Sequence, residues 1–143
     1  MGLKNEIVKT LCERITRAFY EKKPFKVIIV VPLLPGFEGD PGDQASTVLR
    51  IQIHWQKVAI LTGEDSIYNT LQKTCPGINI TDYLFFFSLR KWDVLHGSPI
   101  TEIIYVHSKL MIVDDKRGIC GSANINDRSL WGTGDSEIAV CIE

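Results

Sequence analysis

The sequence predicts an α/β protein, a mixed β-sheet flanked by helices. Three observations carry that prediction. An amphipathic helical pattern is followed at once by a β-branched apolar run, a second helical region precedes an aromatic apolar run, and the last third reads as short strands separated by turns. Helices that alternate with buried strands stack into layers around one core. The 143 residues make one domain's length, and the expectation is a single domain over 1–143. With 45% hydrophobic and 23% charged residues, disordered and collagen-like chains are excluded.

Residues 5–20 carry Ile7, Val8, Leu11, Ile15, Ala18 and Phe19 at three- and four-residue spacing, with Lys9, Glu13, Arg14 and Arg17 between them. That is the pattern of a surface helix, closed by Lys22, Lys23 and Pro24. Phe25–Val31 is a continuous run that predicts a strand buried on both faces, ended by Pro32. Leu33–Asp43 is loop chemistry, dense in Gly, Pro and Asp. Residues 45–61 are ambiguous. Leu49, Ile51, Ile53 and Trp55 alternate as in a strand, whereas Val48, Ile51, Trp55 and Val58 form a helical stripe, and the length favours the helix. Asp65 or Ser66 caps a further helix to about Lys73, and Pro76-Gly77 is a turn. Ile80–Leu89 predicts another buried strand and Arg90–Pro99 a polar loop. Glu102–Val113 predicts a strand, Asp114–Gly118 a turn, Ile119-Cys120 the return, and Glu137–Ile142 a final strand.

The net charge of −1 argues against a nucleic-acid partner, which favours a basic surface. No apolar run reaches the roughly 18 residues that span a bilayer. The amino terminus lacks the apolar core of a signal peptide. Gly2 follows Met1, but Glu6 stands where an acylation signal needs Ser or Thr, so no acyl chain is expected. Cys12, Cys75, Cys120 and Cys141 form no CxxC pair. They predict buried free thiols in a reducing compartment, with no zinc site.

The chemistry concentrates in Ile104–Asn124. His107 and Lys109 are two apart on a predicted strand, so both side chains leave one face, and Asp114 follows at the strand's end. A hairpin brings Gly121-Ser122-Ala123-Asn124 back beside them. An imidazole serves as nucleophile or general acid and base. A lysine ammonium, a hydroxyl, an amide and the N–H groups of a Gly-containing turn are donors for an anion with several oxygens, such as a phosphodiester in its transition state. Each residue alone is commonplace; the joint spacing H-x-K-x4-D-x6-G-S-x-N is not.

His107-Ser108-Lys109-Leu110-Met111-Ile112-Val113-Asp114 with Gly121-Ser122-Ala123-Asn124 resembles the HKD motif of the phospholipase D superfamily. IYVHSKLMIVDD, GSANINDRSL, DSEIAV and FKVIIVVPLLPGFEGD are similar to the second catalytic half of the eukaryotic phosphatidylcholine-hydrolysing members. The resemblance implies a phospholipase D-like half-domain and a phosphodiesterase that needs no metal and no cofactor. In the family one histidine attacks phosphorus, and the histidine of a second motif protonates the leaving alcohol, then activates water or a primary alcohol. His107 would be that acid and later base. Lys109, Ser122 and Asn124 would hold phosphate oxygens. Glu137 would accept a hydrogen bond from His107, the way a carboxylate fixes an imidazole tautomer. Asp114 completes the motif and would support the strand end. The implied substrate is phosphatidylcholine at a membrane surface, cleaved to phosphatidic acid and choline by a cytoplasmic, peripherally membrane-associated enzyme.

One motif is present where the family enzyme has two, since neither His54 nor His96 has a lysine two positions on. The chain is therefore expected to be a stretch of a longer two-motif enzyme, or else to need a homodimer partner that supplies a second His107. The alternatives are a single-motif, nuclease-like phosphodiesterase dimer and a non-catalytic truncated domain that binds lipid or phosphate. Outside the motif, Lys22, Lys23 and Lys26 form a small basic group, and Phe85-Phe86-Phe87 reads as core. Trp131 is a candidate for the substrate rim.

Overall fold

The computed structural model describes residues 4–143. The expectation about acylation at Gly2 lies outside them. In chain order the elements are α1 (Ile7–Glu21), β1 (Val27–Val30), α2 (Thr47–Lys57) continued by a π-helical turn (Val58–Thr62), and α3 (Ile67–Thr74). A 3-10 turn (Ile80–Asp82) precedes β2 (Leu84–Phe87), β3 (Leu89–Leu95) and β4 (Ser98–Ile104). Then come β5 (Lys109–Val113), β6 (Arg117–Gly121), α4 (Asp127–Leu130) and β7 (Ala139–Ile142). The strands form three small sheets: a parallel pair β1-β2, an antiparallel pair β3-β4, and an antiparallel sheet β5-β6-β7. The single mixed sheet expected from the sequence is thereby corrected. Most helices and strands were legible, but which strands share a ladder depends on long-range pairing. The chain divides into two compact units, one spanning Cys12–Val106 and one made of His107–Glu143 with the chain up to Leu11.

In the larger unit, the helical periodicity does what the sequence requires. Cys12, Ile15 and Ala18 turn one face of α1 inward, and Leu49, Ile67, Leu71, Cys75, Ile80 and Leu84 complete the core. Each such Ile or Leu contributes about 1.5–3 kcal/mol by leaving water. The end of α1 is tied to the end of α3. The Tyr20 hydroxyl donates to the Thr74 carbonyl at 2.9 Å, and the Cys75 thiol donates to Thr16 Oγ1 at 3.4 Å. Ser66 caps α3 by accepting from the Asn69 N–H at 3.3 Å, as its place before the apolar periodicity predicts. Residues 47–57 are helical, which settles the ambiguity for the helix.

Four local expectations are corrected. The strand at 25–31 is shorter and is not buried on both faces, since Ile28 is 65% exposed. Residues 80–82 form a 3-10 turn before the strand begins at Leu84. The predicted polar loop Arg90–Pro99 is most of a hairpin, β3-β4, closed by His96 (φ 51°) and Gly97 (φ 79°). A two-residue hairpin turn with both residues left-handed matches the twist of its strands, and His is among the residues that tolerate that region. The predicted strand 102–113 is two strands, with Tyr105–Ser108 irregular between β4 and β5.

The cysteines also divide. Cys12 and Cys75 are buried, whereas Cys120 and Cys141 are exposed, which corrects the expectation of four buried thiols. Burial pushes the Cys12 thiol up to about 11, with Cys75 and Glu13 adding to the shift. Thiolate is the reactive form. Cys120 and Cys141 should therefore react rapidly with a thiol reagent in the native protein, and Cys12 and Cys75 far more slowly. Mass spectrometry of a timed alkylation reads this directly, and labelling of all four at one rate would contradict the buried positions.

The smaller unit has a different character. Among the described residues, none of its apolar side chains is fully buried. The register of β5-β6-β7 sets Leu110, Cys120 and Val140 in one row and Ile112, Gly118 and Ile142 in the next, on one face. Met111, Ile119 and Cys141 lie on the other. Leu110, Ile112, Val140 and Ile142 are each 60–62% exposed. Apolar side chains on both faces are the pattern of an interior strand layer.

Candidate active site

The smaller unit carries every sequence-predicted site residue. Lys109 opens β5 and stands opposite Gly121, the last residue of β6. The predicted hairpin thus returns the Gly-Ser-x-Asn turn to Lys109. His107 lies two residues before β5 in the irregular segment, so it and Lys109 are not on one strand as predicted. Their link is instead a hydrogen bond, with the Lys109 ammonium donating to the His107 carbonyl at 2.6 Å.

Gly121 is required by the third strand. A Cβ on it would fall 2.6 Å from the Ile138 carbonyl oxygen and 2.7 Å from Ala139 Cβ. This close approach lets the next residue reach across to the lead-in of β7. The Ser122 N–H donates to the Ile138 carbonyl at 3.0 Å. The Ser122 hydroxyl donates to Glu137 Oε2 at 2.5 Å and accepts from the Ile138 N–H at 3.0 Å. The structure therefore joins Ser122 with Glu137, fifteen residues apart in the chain. Ser122 has one hydroxyl proton, and it is committed to the carboxylate.

That hydrogen bond holds the Glu137 carboxyl below the usual carboxylate range. The Ser129 hydroxyl, buried and outside hydrogen-bond geometry with any neighbour, adds a weaker pull, as do the cations of Lys109 and Arg128. Asn124 is exposed at the turn, and its carbonyl accepts from the Asn126 N–H at 2.9 Å. Asp114 lies at the opposite end of β5 from Lys109. Asp114 (φ 52°) and Asp115 (φ 54°) form the left-handed turn between β5 and β6, closed by the Lys116 N–H donating to the Val113 carbonyl at 3.1 Å. Asp tolerates such backbone better than most residues. No group of three His, Cys, Asp or Glu among the described residues is placed to hold a metal.

Sequence reasoning missed the support behind the turn. Asn126 caps α4, its side chain accepting from the Ser129 N–H at 2.9 Å. Asp127 anchors the amino-terminal arm, accepting from the backbone N–H groups of Lys4 and Asn5 at 2.8 Å each and from Asn5 Nδ2 at 2.6 Å. The Lys4 ammonium sits 5.2 Å from the ring centre of Trp131. Arg128 pairs with Asp135 at 2.7 Å and fastens the loop that follows. The Asn-x-x-Ser spacing signalled the cap. Nothing local signalled Asp127, whose partners lie more than a hundred residues away in sequence.

These bonds have a pH signature. The Asn5 and Lys4 N–H groups hold the Asp127 carboxyl low, as Ser122 holds Glu137. A carboxyl lowered on folding binds fewer protons folded than unfolded, so its stabilisation is complete above the ordinary range near 4. It is lost as pH falls through the lower native values. The protection factors of the Lys4, Asn5 and Ile138 amides, corrected for the intrinsic pH dependence of exchange, should fall below about pH 4. Asp127→Asn should remove that pH dependence at Lys4 and Asn5 alone, and Glu137→Gln at Ile138 alone. Protection factors that stay constant with pH in the parent chain would count against both carboxylates.

Chemically, the arrangement offers one lysine cation, an exposed amide and an oriented carboxylate around the segment that carries an imidazole. The phospholipase D family model matches residues 100–142, which span β4 to β7. The chain is similar over nearly its whole length to several curated proteins. Phospholipase D zeta 1 of Arabidopsis thaliana is 48% identical over 143 residues, 99% of this chain and 13% of that protein. Phospholipase D A of Dictyostelium discoideum is 46% identical over 138 residues, 96% of this chain and 10% of the relative. Phospholipase D1 of Homo sapiens is 42% identical over 139 residues, 97% of this chain and 13% of the relative. The chain thus spans about one-tenth of the length of these relatives.

Proposed function

Because this chain belongs to the phospholipase D family, we propose that it supplies one half of a lipid phosphodiesterase site, the half that carries the second HKD motif. The reaction is hydrolysis of phosphatidylcholine to phosphatidic acid and choline, with transfer to a primary alcohol as the competing outcome. His107 gives its proton to the choline oxygen as the P–O bond breaks and a phosphohistidine forms on the partner half. It then takes a proton from the water whose oxygen attacks phosphorus, which frees the partner histidine. The Lys109 cation and the Asn124 amide hold the phosphate oxygens. Ser122 serves the site by fixing Glu137, and Glu137 orients the His107 imidazole through its second oxygen. Asp114 shapes the β5-β6 turn and does not touch substrate.

The observation that carries this reading is the Ser122–Glu137 hydrogen bond, with Lys109 opposite Gly121. Three separated segments of the motif meet across β5-β6-β7. The need for a second half is supported by the two apolar faces of that sheet, which suit an interior position. A lipid substrate accords with the names of the relatives.

The test is reconstitution on phosphatidylcholine vesicles containing a few per cent ethanol. The chain mixed with a polypeptide carrying the first motif should release choline and form phosphatidylethanol, while the chain alone should do neither. Absence of both products from the mixture, with both polypeptides folded, would reject the assignment. Turnover by the chain alone as a dimer would reject the need for a different second half.

A further inference from the structure

The hairpin β3-β4 of the larger unit carries apolar side chains on both faces but segregates its carboxylates. Its register places Arg90 opposite Ile103, Trp92 opposite Thr101 and Val94 opposite Pro99 on one face. Leu89 opposite Ile104, Lys91 opposite Glu102, Asp93 opposite Ile100 and Leu95 opposite Ser98 fall on the other. Both carboxylates of the hairpin are therefore on the second face. The first carries one guanidinium, one indole, the Thr101 hydroxyl, and the apolar Val94, Pro99 and Ile103. Trp92 is 69% exposed, and Val94 lies exposed near the His96-Gly97 turn. A shallow concavity of about 380 Å³ opens beside Trp92, lined by Arg90, Pro99, Ile100 and Thr101.

We propose that the Arg90–Trp92–Val94 face of this hairpin docks on the surface of a phospholipid bilayer. An indole has an apolar body and a single N–H, and it settles at the boundary between headgroups and acyl chains. A guanidinium beside it matches the geometry of a lipid phosphate. Val94 and Pro99 add apolar area toward the turn. No carboxylate on that face opposes an anionic leaflet, and charge complementarity therefore favours lipid over a protein surface of mixed charge. A two-stranded hairpin is marginal in water by itself, and a face seated in the interface would steady it. In the chain, β4 is followed within three residues by His107. The inference rests on the lipid-substrate reading and deepens it by naming the surface that meets the membrane.

The test reads binding and requires no turnover. The full chain with Trp55→Phe and Trp131→Phe retains Trp92 as its one tryptophan. Its fluorescence should shift to the blue and be quenched on vesicles of phosphatidylcholine and phosphatidylserine that contain brominated acyl chains. In the parent chain, Arg90→Glu should weaken vesicle partition by about fivefold or more, the weight of one cation near an anionic leaflet. Trp92→Ala should weaken it further, and Lys91→Glu, on the other face, should change it little. Circular dichroism confirms that each variant is folded. Unquenched Trp92 would overturn the proposal, as would equal losses in Arg90→Glu and Lys91→Glu. So would a Trp92-dependent self-association with no vesicle binding, which would assign the face to a second copy. A chain that docks through Trp92 but gives no turnover in reconstitution would reject only the catalytic reading. A chain that turns over without docking through Trp92 would reject only this one.

Discussion

His107→Gln is expected to lower choline release by the reconstituted enzyme by about 10²–10⁴-fold, the usual contribution of one positioned acid and base. Glutamine keeps the size and hydrogen-bonding capacity of imidazole but moves no proton near neutral pH. His107 is exposed and precedes β5, so the variant should melt as the parent does. The split between lost turnover and unchanged stability is the informative result. Activity within a few-fold of the parent would remove His107 from the mechanism, whatever the family pattern implies. Glu137→Gln should act in the same direction with a smaller loss, because the role proposed for Glu137 is to orient the imidazole and not to transfer a proton. Its hydrogen bond from Ser122 can survive, since an amide oxygen still accepts.

Gly121→Ala is expected to destabilise the smaller unit by about 1–3 kcal/mol, the range for groups forced into a packed position. The added methyl would meet the Ile138 carbonyl oxygen and Ala139 Cα, at 2.6 Å and 2.9 Å. Both are backbone-fixed atoms that cannot rotate away. Relief requires β7 to move from β6, which pulls Ile138 and Glu137 from Ser122. Stability and turnover should therefore fall together, in contrast to His107→Gln. Hydrogen exchange should show the loss at Ser122 and Ile138 first. Unchanged protection at those amides would mean that the sheet tolerates the methyl, and that the glycine is there for another reason.

Much of the fold could be read from local pattern. The apolar spacing from Ile7 to Phe19 identified α1, and Ser66 before an apolar periodicity identified the start of α3. The turn at Asp114 and the return to Gly121 were legible from the apolar run Leu110–Val113 before a polar Asp-Asp-Lys-Arg and from Ile119-Cys120 after it. The hairpin β3-β4 was not. Its turn is His-Gly in place of a common Asn-Gly, and its strands mix charged and apolar residues on both faces. The sequence predicts one strand over 102–113 because nothing in Tyr105–Ser108 breaks a strand by composition. The expectation of burial for Ile28, Cys120 and Cys141 came from residue type, which reports a preference for an apolar partner and not the presence of one.

The site divides in the same way. By itself the sequence determined the chemical inventory: an imidazole, a lysine, a Gly-Ser-x-Asn turn and a carboxylate at spacings that chance seldom produces. Tertiary structure alone decided which of them meet. Ser122 bonds to Glu137 because β6 and β7 pair and Gly121 lets them close. Lys109 reaches the His107 carbonyl because the strand begins at 109 and not before it. Asp114, adjacent to the motif in sequence, ends at the far end of β5 because each residue of a strand advances about 3.3 Å. Asp127 joins the support of the site by binding Lys4 and Asn5, a contact with no local signal at all. Periodicity and turn chemistry act over a few residues and can be read along the chain. A ladder or a long-range hydrogen bond is chosen by the whole fold, and so it appears only once the chain has folded.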